Sequence, residues 1–166
     1  MTHNFAAMFA HRDLRASPVI AVQTVMAMRI ATLYARAGRD PLPDMAVRLR
    51  SMRAAQALQT LIASVARIWP EPFQARRPCC MAMSPDEALI ADMAAAALHG
   101  DRAAAIHATR DFLPSLSRDR LFRGMIELVD AIRTAQPGPC AARADMDAAG
   151  GSAAEGADQA ATDSRA

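Results

Sequence analysis

The chain has 166 residues, 52% of them hydrophobic and 4% aromatic, and a formal net charge of +2. This length accommodates one domain around a single core, and so small a net charge does not indicate a nucleic-acid-binding protein. Three cysteines, two of them adjacent, do not make a disulfide framework, so the composition favours a reducing cytoplasm.

Charge is distributed unevenly along the chain. Residues 1–85 contain eleven arginines and four acidic residues, whereas residues 86–166 contain eight arginines and thirteen acidic residues. This split predicts either attraction between the two halves within one fold or steering of a charged partner.

A first helix is predicted from Ser17, as its N-cap, through Pro18 to a stop at Gly38. This is the most apolar stretch of the chain, yet spanning a bilayer would bury Arg29 and Arg36, so we expect a soluble protein without a membrane partner. The first fifteen residues lack the basic and apolar pattern of a secretory signal, so we expect none. Its predicted inner stripe consists of Val19, Val22, Met26, Ile30, Leu33 and Tyr34.

A second long helix is predicted from Asp44 to Trp69, where two prolines end it. Its main apolar stripe consists of Val47, Ala54, Leu58, Ile62, Val65 and Trp69. Met45, Leu49 and Met52 form a second apolar strip, which indicates that the first half of the helix packs on two sides. This strip predicts an interaction surface.

The same helix contributes arginines to a candidate basic surface. At about 100° per residue Arg50 and Arg53 are neighbours, while Arg48 lies nearly opposite Arg50. A recognition helix needs its reading side chains on one face, which this trio does not provide. Arg29 and Arg36 could extend Arg50 and Arg53 into a diffuse phosphate-binding surface, but a solvated face of snorkelling arginines is the favoured interpretation.

The connector "RRPCCMAMSPDE", residues 76–87, places Cys79 and Cys80 between two predicted helices. Adjacent cysteines differ from the C-x₂₋₄-C turn of structural zinc sites, so metal binding by this pair is not favoured. Thiol chemistry needs a stabilised thiolate, for which Arg76 and Arg77 lie just upstream. The favoured interpretation is a proline-stiffened connector whose thiols pack on the core as small apolar groups.

A third helix is predicted from a capping box formed by Ser84 and Glu87 to a stop at Gly100. A short fourth helix then runs from Asp101 to about Phe112.

Two histidines flank this helix break without the i,i+4 spacing of a helical metal site. His99 and His107 are eight residues apart. His107 has Arg110 at i+3 and could in principle accept a phosphoryl group, although any bundle with a histidine would show as much.

The fifth helix is predicted from about Arg118 to Ala135. Its inner face consists of Leu121, Phe122, Met125, Leu128, Val129 and Ile132. From Pro137 onwards the sequence is rich in Ala, Gly and Asp and cannot bury enough apolar surface to offset its ordering entropy. We therefore predict a helical domain over residues 1–136 and a disordered tail over residues 137–166.

No segment alternates with a period of two, so the prediction is an all-α protein, a compact bundle of about five helices. The sequence contains no glycine-rich phosphate loop, no H-E-x-x-H and no G-x-S-x-G. These absences favour a non-enzymatic protein without a cofactor.

The tokens "WPEPF", "RPCC" and "SPDE" lie in a span over most of residues 20–130 that resembles a family of short alphaproteobacterial proteins of unknown function. They match no catalytic motif, and the resemblance implies no activity at any position.

The leading interpretation is a cytoplasmic helical protein that binds another protein, or itself, through Met45, Leu49 and Met52. The first alternative is a thiol- or metal-dependent sensor that uses Cys79 and Cys80. The second alternative, which is less favoured, is nucleic-acid binding through the arginine-rich first half.

Overall fold

The computed structural model describes residues 12–136, which contain six α-helices and one 3₁₀ turn. The 3₁₀ turn is Leu14–Ala16, and the helices are α1 (Val19–Arg36), α2 (Leu42–Arg48), α3 (Met52–Ile68), α4 (Pro85–His99), α5 (Arg102–Thr109) and α6 (Ser115–Ala135). The all-helical prediction is confirmed, with six helices instead of about five. The predicted disordered tail, residues 137–166, and the first eleven residues lie outside the described part.

The additional helix arises because the predicted helix from Asp44 to Trp69 is broken near its start. α2 ends at Arg48, Arg50 takes a left-handed conformation with φ +53°, and α3 begins at Met52. The Ser51 hydroxyl accepts a hydrogen bond from the Ala54 amide at 3.1 Å and caps the new helix. The prediction of one continuous helix was therefore wrong.

The four longer helices surround the core as a ring of neighbours. α1 packs on α4, α4 on α6 and α6 on α3, and a smaller contact between α1 and α3 closes the ring. α2 lies against α3, and α5 contacts both α4 and α6. One hydrophobic cluster draws side chains from all six helices, which is the arrangement expected of a helical bundle.

The buried face of α1 differs from the predicted stripe. Val19 is 70% exposed and Leu33 is 44% exposed. The buried residues of α1 are Ile20, Ala21, Thr24, Val25, Ala27, Met28, Arg29 and Ala31. Both α1 and its neighbour α4 bury several alanines, whose small side chains allow two helix backbones to approach closely, so the larger side chains of the predicted stripe lie at the edge of the contact.

The later helices follow the sequence more closely. The capping box of Ser84 and Glu87 is present, and Gly100 ends α4 with φ +68°. All six residues of the predicted inner face of α6 are buried, although that helix begins at Ser115 instead of Arg118. Ser17, the predicted N-cap of α1, makes no such cap, because the helix starts directly after Pro18.

Candidate functional site

The segment between α3 and α4, residues 70–84, contains no helix and is called here the strap. A short antiparallel bridge ties it to the start of the described chain, where Leu14 N donates to Met81 O at 2.8 Å and Met83 N donates to Arg12 O at 2.9 Å. The strap carries Cys79 and Cys80 and passes directly over the side chain of Arg29.

Arg29 is buried in the bundle with 1% of its surface exposed, and it uses all five guanidinium N–H groups. Nε donates to Glu87 Oε1 at 2.7 Å and Nη2 donates to Glu87 Oε2 at 2.8 Å, which is a bidentate ion pair. Nη2 also donates to Ala82 O at 3.1 Å, and Nη1 donates to the carbonyls of Arg77, at 3.4 Å, and Cys80.

Glu87 completes the arrangement from the other side. Besides Arg29, its carboxylate accepts the backbone N–H of Arg76 at 2.8 Å and that of Ser84 at 2.9 Å. A buried ion pair is tolerated when every donor and acceptor is satisfied, as here. Arg29 and Glu87 therefore fasten the strap to α1 and α4, and we call them the buried pair.

Placing Arg29 on a basic surface was wrong, since the side chain is enclosed. The sequence contained one signal for this burial, an arginine in the middle of a strongly apolar helix. Glu87 was identified only as a helix cap, because its partner lies 58 residues away.

The two cysteines are free thiols with different surroundings. Cys79 is exposed, whereas Cys80 is half-buried with its Sγ 3.5 Å from the Ala82 carbonyl oxygen. They occupy the end of a β-turn closed by the hydrogen bond from Cys80 N to Arg77 O at 2.9 Å. The prediction that both thiols pack on the core was wrong for Cys79. No group of three or more His, Cys, Asp or Glu side chains within residues 12–136 is arranged to hold a metal ion.

The predicted apolar strip is only partly available as a surface. Met45 is 2% exposed and Leu49 is 7% exposed, because both point into the core beside α3, whereas Met52 is 52% exposed. Burial of the first two follows from the separate packing of α2 on α3, which the prediction of one straight helix did not include.

Around the break, exposed apolar and basic side chains alternate with buried ones. Val47 is 77% exposed, and Arg48, Arg50 and Arg53 are all exposed beside Met52. We call these five residues the α2–α3 corner. Arg48 and Arg50 do not lie on one continuous helix, so the predicted opposite placement of their side chains does not apply across the break. Arg36, the remaining member of the predicted basic surface, is exposed at the end of α1.

The backbone of the corner is unusual at Arg50. It is the one non-glycine residue with a positive φ in the described chain. A side chain in the left-handed region costs roughly 1–2 kcal/mol, and glycine is the residue that avoids this cost. No ion pair reaches Arg50 or Arg53 within residues 12–136, and Arg48 lies 3.9 Å from Asp44.

A cleft of about 500 Å³ lies between α4 and α5. It contains both histidines considered above, with two carboxylates and four alanines: Asp92, Ala95, Ala96, His99, Asp101, Ala104, His107 and Ala108. Asp92 is paired with Arg12 at 2.7 Å and Asp101 caps α5 through the Ala104 amide. Arg110, the predicted cationic neighbour of His107, forms an ion pair with Asp111 at 3.5 Å.

No protein-family model, curated protein or solved structure matches the chain. None of the helices in residues 12–136 combines the length and the apolar character required to cross a bilayer.

Proposed function

We propose that this protein is a non-enzymatic binding module whose contact surface is the α2–α3 corner, and that its partner is a protein segment combining acidic and apolar side chains. The leading observation is Arg50, an arginine held at positive φ at the tip of the corner. Backbone strain of this kind concentrates at functional sites, because a conformation that costs folding free energy is kept where it serves binding or catalysis.

The composition of the corner supports this class of partner. Three exposed arginines attract carboxylates, and the exposed side chains of Val47 and Met52 add apolar surface that water does not favour. Arginine and methionine are both enriched in protein interfaces. A nucleic-acid-binding surface would use the arginines but not the apolar side chains. Arg29, which was expected to contribute to such a surface, is buried.

The proposed function is the predicted one, but its surface is the α2–α3 corner instead of the strip of Met45, Leu49 and Met52. Met52 is retained from the predicted strip, and Arg50 and Arg53 are retained from the predicted basic surface. The two free thiols of the strap support a reducing compartment, for which we propose the cytoplasm.

An unbiased peptide display selection on the full chain tests the proposal. The corner variant combines Val47→Gln with Arg50→Gly. The control variant, Leu116→Gln with Arg123→Ser, removes one exposed apolar side chain and one exposed arginine from α6.

We expect peptides that combine Asp or Glu with apolar residues to be enriched on the natural chain and on the control variant, and to be lost on the corner variant. Equal enrichment on both variants would contradict the proposal. So would tight binding of a DNA duplex at low salt that the corner variant abolishes, since this would assign the corner to nucleic acid.

A further inference from the structure

The strap carries two neighbouring thiols that differ in solvent exposure. Cys79 is exposed to solvent, and Cys80 is half-buried with only a weak S–H contact to the Ala82 carbonyl. Neither is in a disulfide. Because the two residues are adjacent in sequence, one small electrophile can bond to both sulfurs once their side chains turn toward each other.

We propose that Cys79 and Cys80 form a binding site for a trivalent arsenical that carries one organic group, and that its binding loosens the strap. Metal ions that require three or four protein ligands do not fit, because no such group of donors converges within residues 12–136. An arsenic atom with one organic substituent needs only two sulfurs. Its narrow S–As–S angle suits thiols on adjacent residues. A metal ion that holds two sulfurs on opposite sides does not suit them.

The reaction is a substitution without electron transfer. The organic arsenic dihydroxide loses both hydroxyl groups, each leaving as water with the proton of one thiol. Two S–H and two As–O bonds break, while two As–S bonds and two O–H bonds form, and arsenic stays trivalent. The bridged ring contains one atom more than a disulfide between adjacent cysteines, which would require strained backbone geometry.

Bridging the thiols disturbs the buried pair through the backbone. Bridging removes the S–H hydrogen that Cys80 donates to the Ala82 carbonyl, and the carbonyls of Cys80 and Ala82 are themselves acceptors for Arg29. The turn that ends at Cys80 also supplies the Arg77 carbonyl to the same guanidinium. Reorienting this turn therefore removes acceptors from a buried charge, which destabilises the strap locally.

Binding is tested with phenylarsine oxide on the full chain carrying Cys140→Ser, so that two thiols remain. We expect one adduct per chain, seen by mass spectrometry, with both thiols consumed. It should persist in excess glutathione and be removed by a dithiol. With Cys79→Ser or Cys80→Ser added, the adduct should be displaced by glutathione. The absence of a glutathione-resistant adduct, or its presence in either single-thiol variant, would overturn the site.

Coupling is tested by limited trypsin cleavage after Arg76, within the strap. Cleavage of a transiently open segment follows the population of its open form, so we expect the rate to rise about tenfold in the bridged protein. Both single-thiol variants, treated alike, should show no such rise. A bridged protein that is cleaved at the unmodified rate would overturn the coupling.

Discussion

Arg29 carries a buried charge, and each of its five hydrogen bonds reaches a defined acceptor. Desolvating a guanidinium and a carboxylate is costly, and a complete set of hydrogen bonds offsets that cost only while both partners remain. The four donors to Glu87 and the three carbonyls around Arg29 therefore form a single unit.

Replacing one partner of the buried pair should destabilise the fold strongly. For Glu87→Gln we expect a loss of about 3–5 kcal/mol in the free energy of unfolding, because an unpaired charge remains buried. Urea unfolding measures it. The matched control is Asp119→Asn, which removes an exposed pair with Arg102 at the same 2.7 Å distance and should cost at most about 1 kcal/mol. Similar losses for the two variants would show that burial does not determine the strength of this pair.

Tyr34 provides a pH-dependent test of local geometry. Its hydroxyl donates to Asp44 at 2.5 Å, and this hydrogen bond raises the pKa of the phenol above its ordinary value, with Arg39 acting in the opposite direction. The hydrogen bond favours the neutral phenol, so its contribution to stability is present below the ordinary pKa and is lost as the pH rises through the higher one. In Asp44→Asn the pKa should fall. Tyr34 is the single tyrosine, so ultraviolet titration reports it directly, and an unchanged midpoint would exclude this contact in solution.

At the scale of the elements, helices with clear local sequence signals could be predicted and the others could not. α4 has a capping box and a terminal glycine, and α6 has a regular apolar period, so both are encoded within a few residues. The break between α2 and α3 has no proline or glycine. It depends on a left-handed arginine, which the sequence does not signal.

The site residues follow the same rule. Arg50 and Arg53 were placed on a surface because exposure is the ordinary state of arginine, whereas Met52 was identified as a member of an apolar strip whose other two residues are buried. The burial of Arg29 was signalled only by the apolar helix around it, and its partners could not be identified, because they lie 48–58 residues away and only the folded chain brings them together.

Gly124 lies inside α6 where that helix faces α3. A Cβ atom at this position would meet Leu61 Cδ1 at 3.5 Å, which is an ordinary van der Waals contact. Glycine in a helix interior costs roughly 0.5–1 kcal/mol relative to alanine. We therefore expect Gly124→Ala to raise the free energy of unfolding by that amount, measured by urea unfolding.

Gly100→Ala is the opposite control, since φ +68° penalises a side chain although a Cβ added there would have nothing within 4 Å. We expect it to lower stability by about 1 kcal/mol. Destabilisation by Gly124→Ala would mean that α3 and α6 are packed more tightly than this geometry allows.

At the scale of the whole molecule, part of the charge asymmetry is used within the fold. The ion pairs of Arg12 with Asp92 and of Arg29 with Glu87 each join the basic first half to the acidic second half. The arginines of the α2–α3 corner have no such partner across the bundle within residues 12–136. At the corner, Arg50 and Arg53, which have no ion pair among the described residues, coincide with the exposed apolar side chains of Val47 and Met52.

The most direct test is to measure the unfolding free energy and the affinity for a selected acidic peptide in one variant, Arg50→Gly. Glycine relieves the left-handed strain and removes the charge. We predict that stability rises by about 0.5–1 kcal/mol while affinity falls at least about tenfold. A variant that is more stable and binds the peptide as tightly as the natural chain would contradict the assignment of the corner as the contact surface.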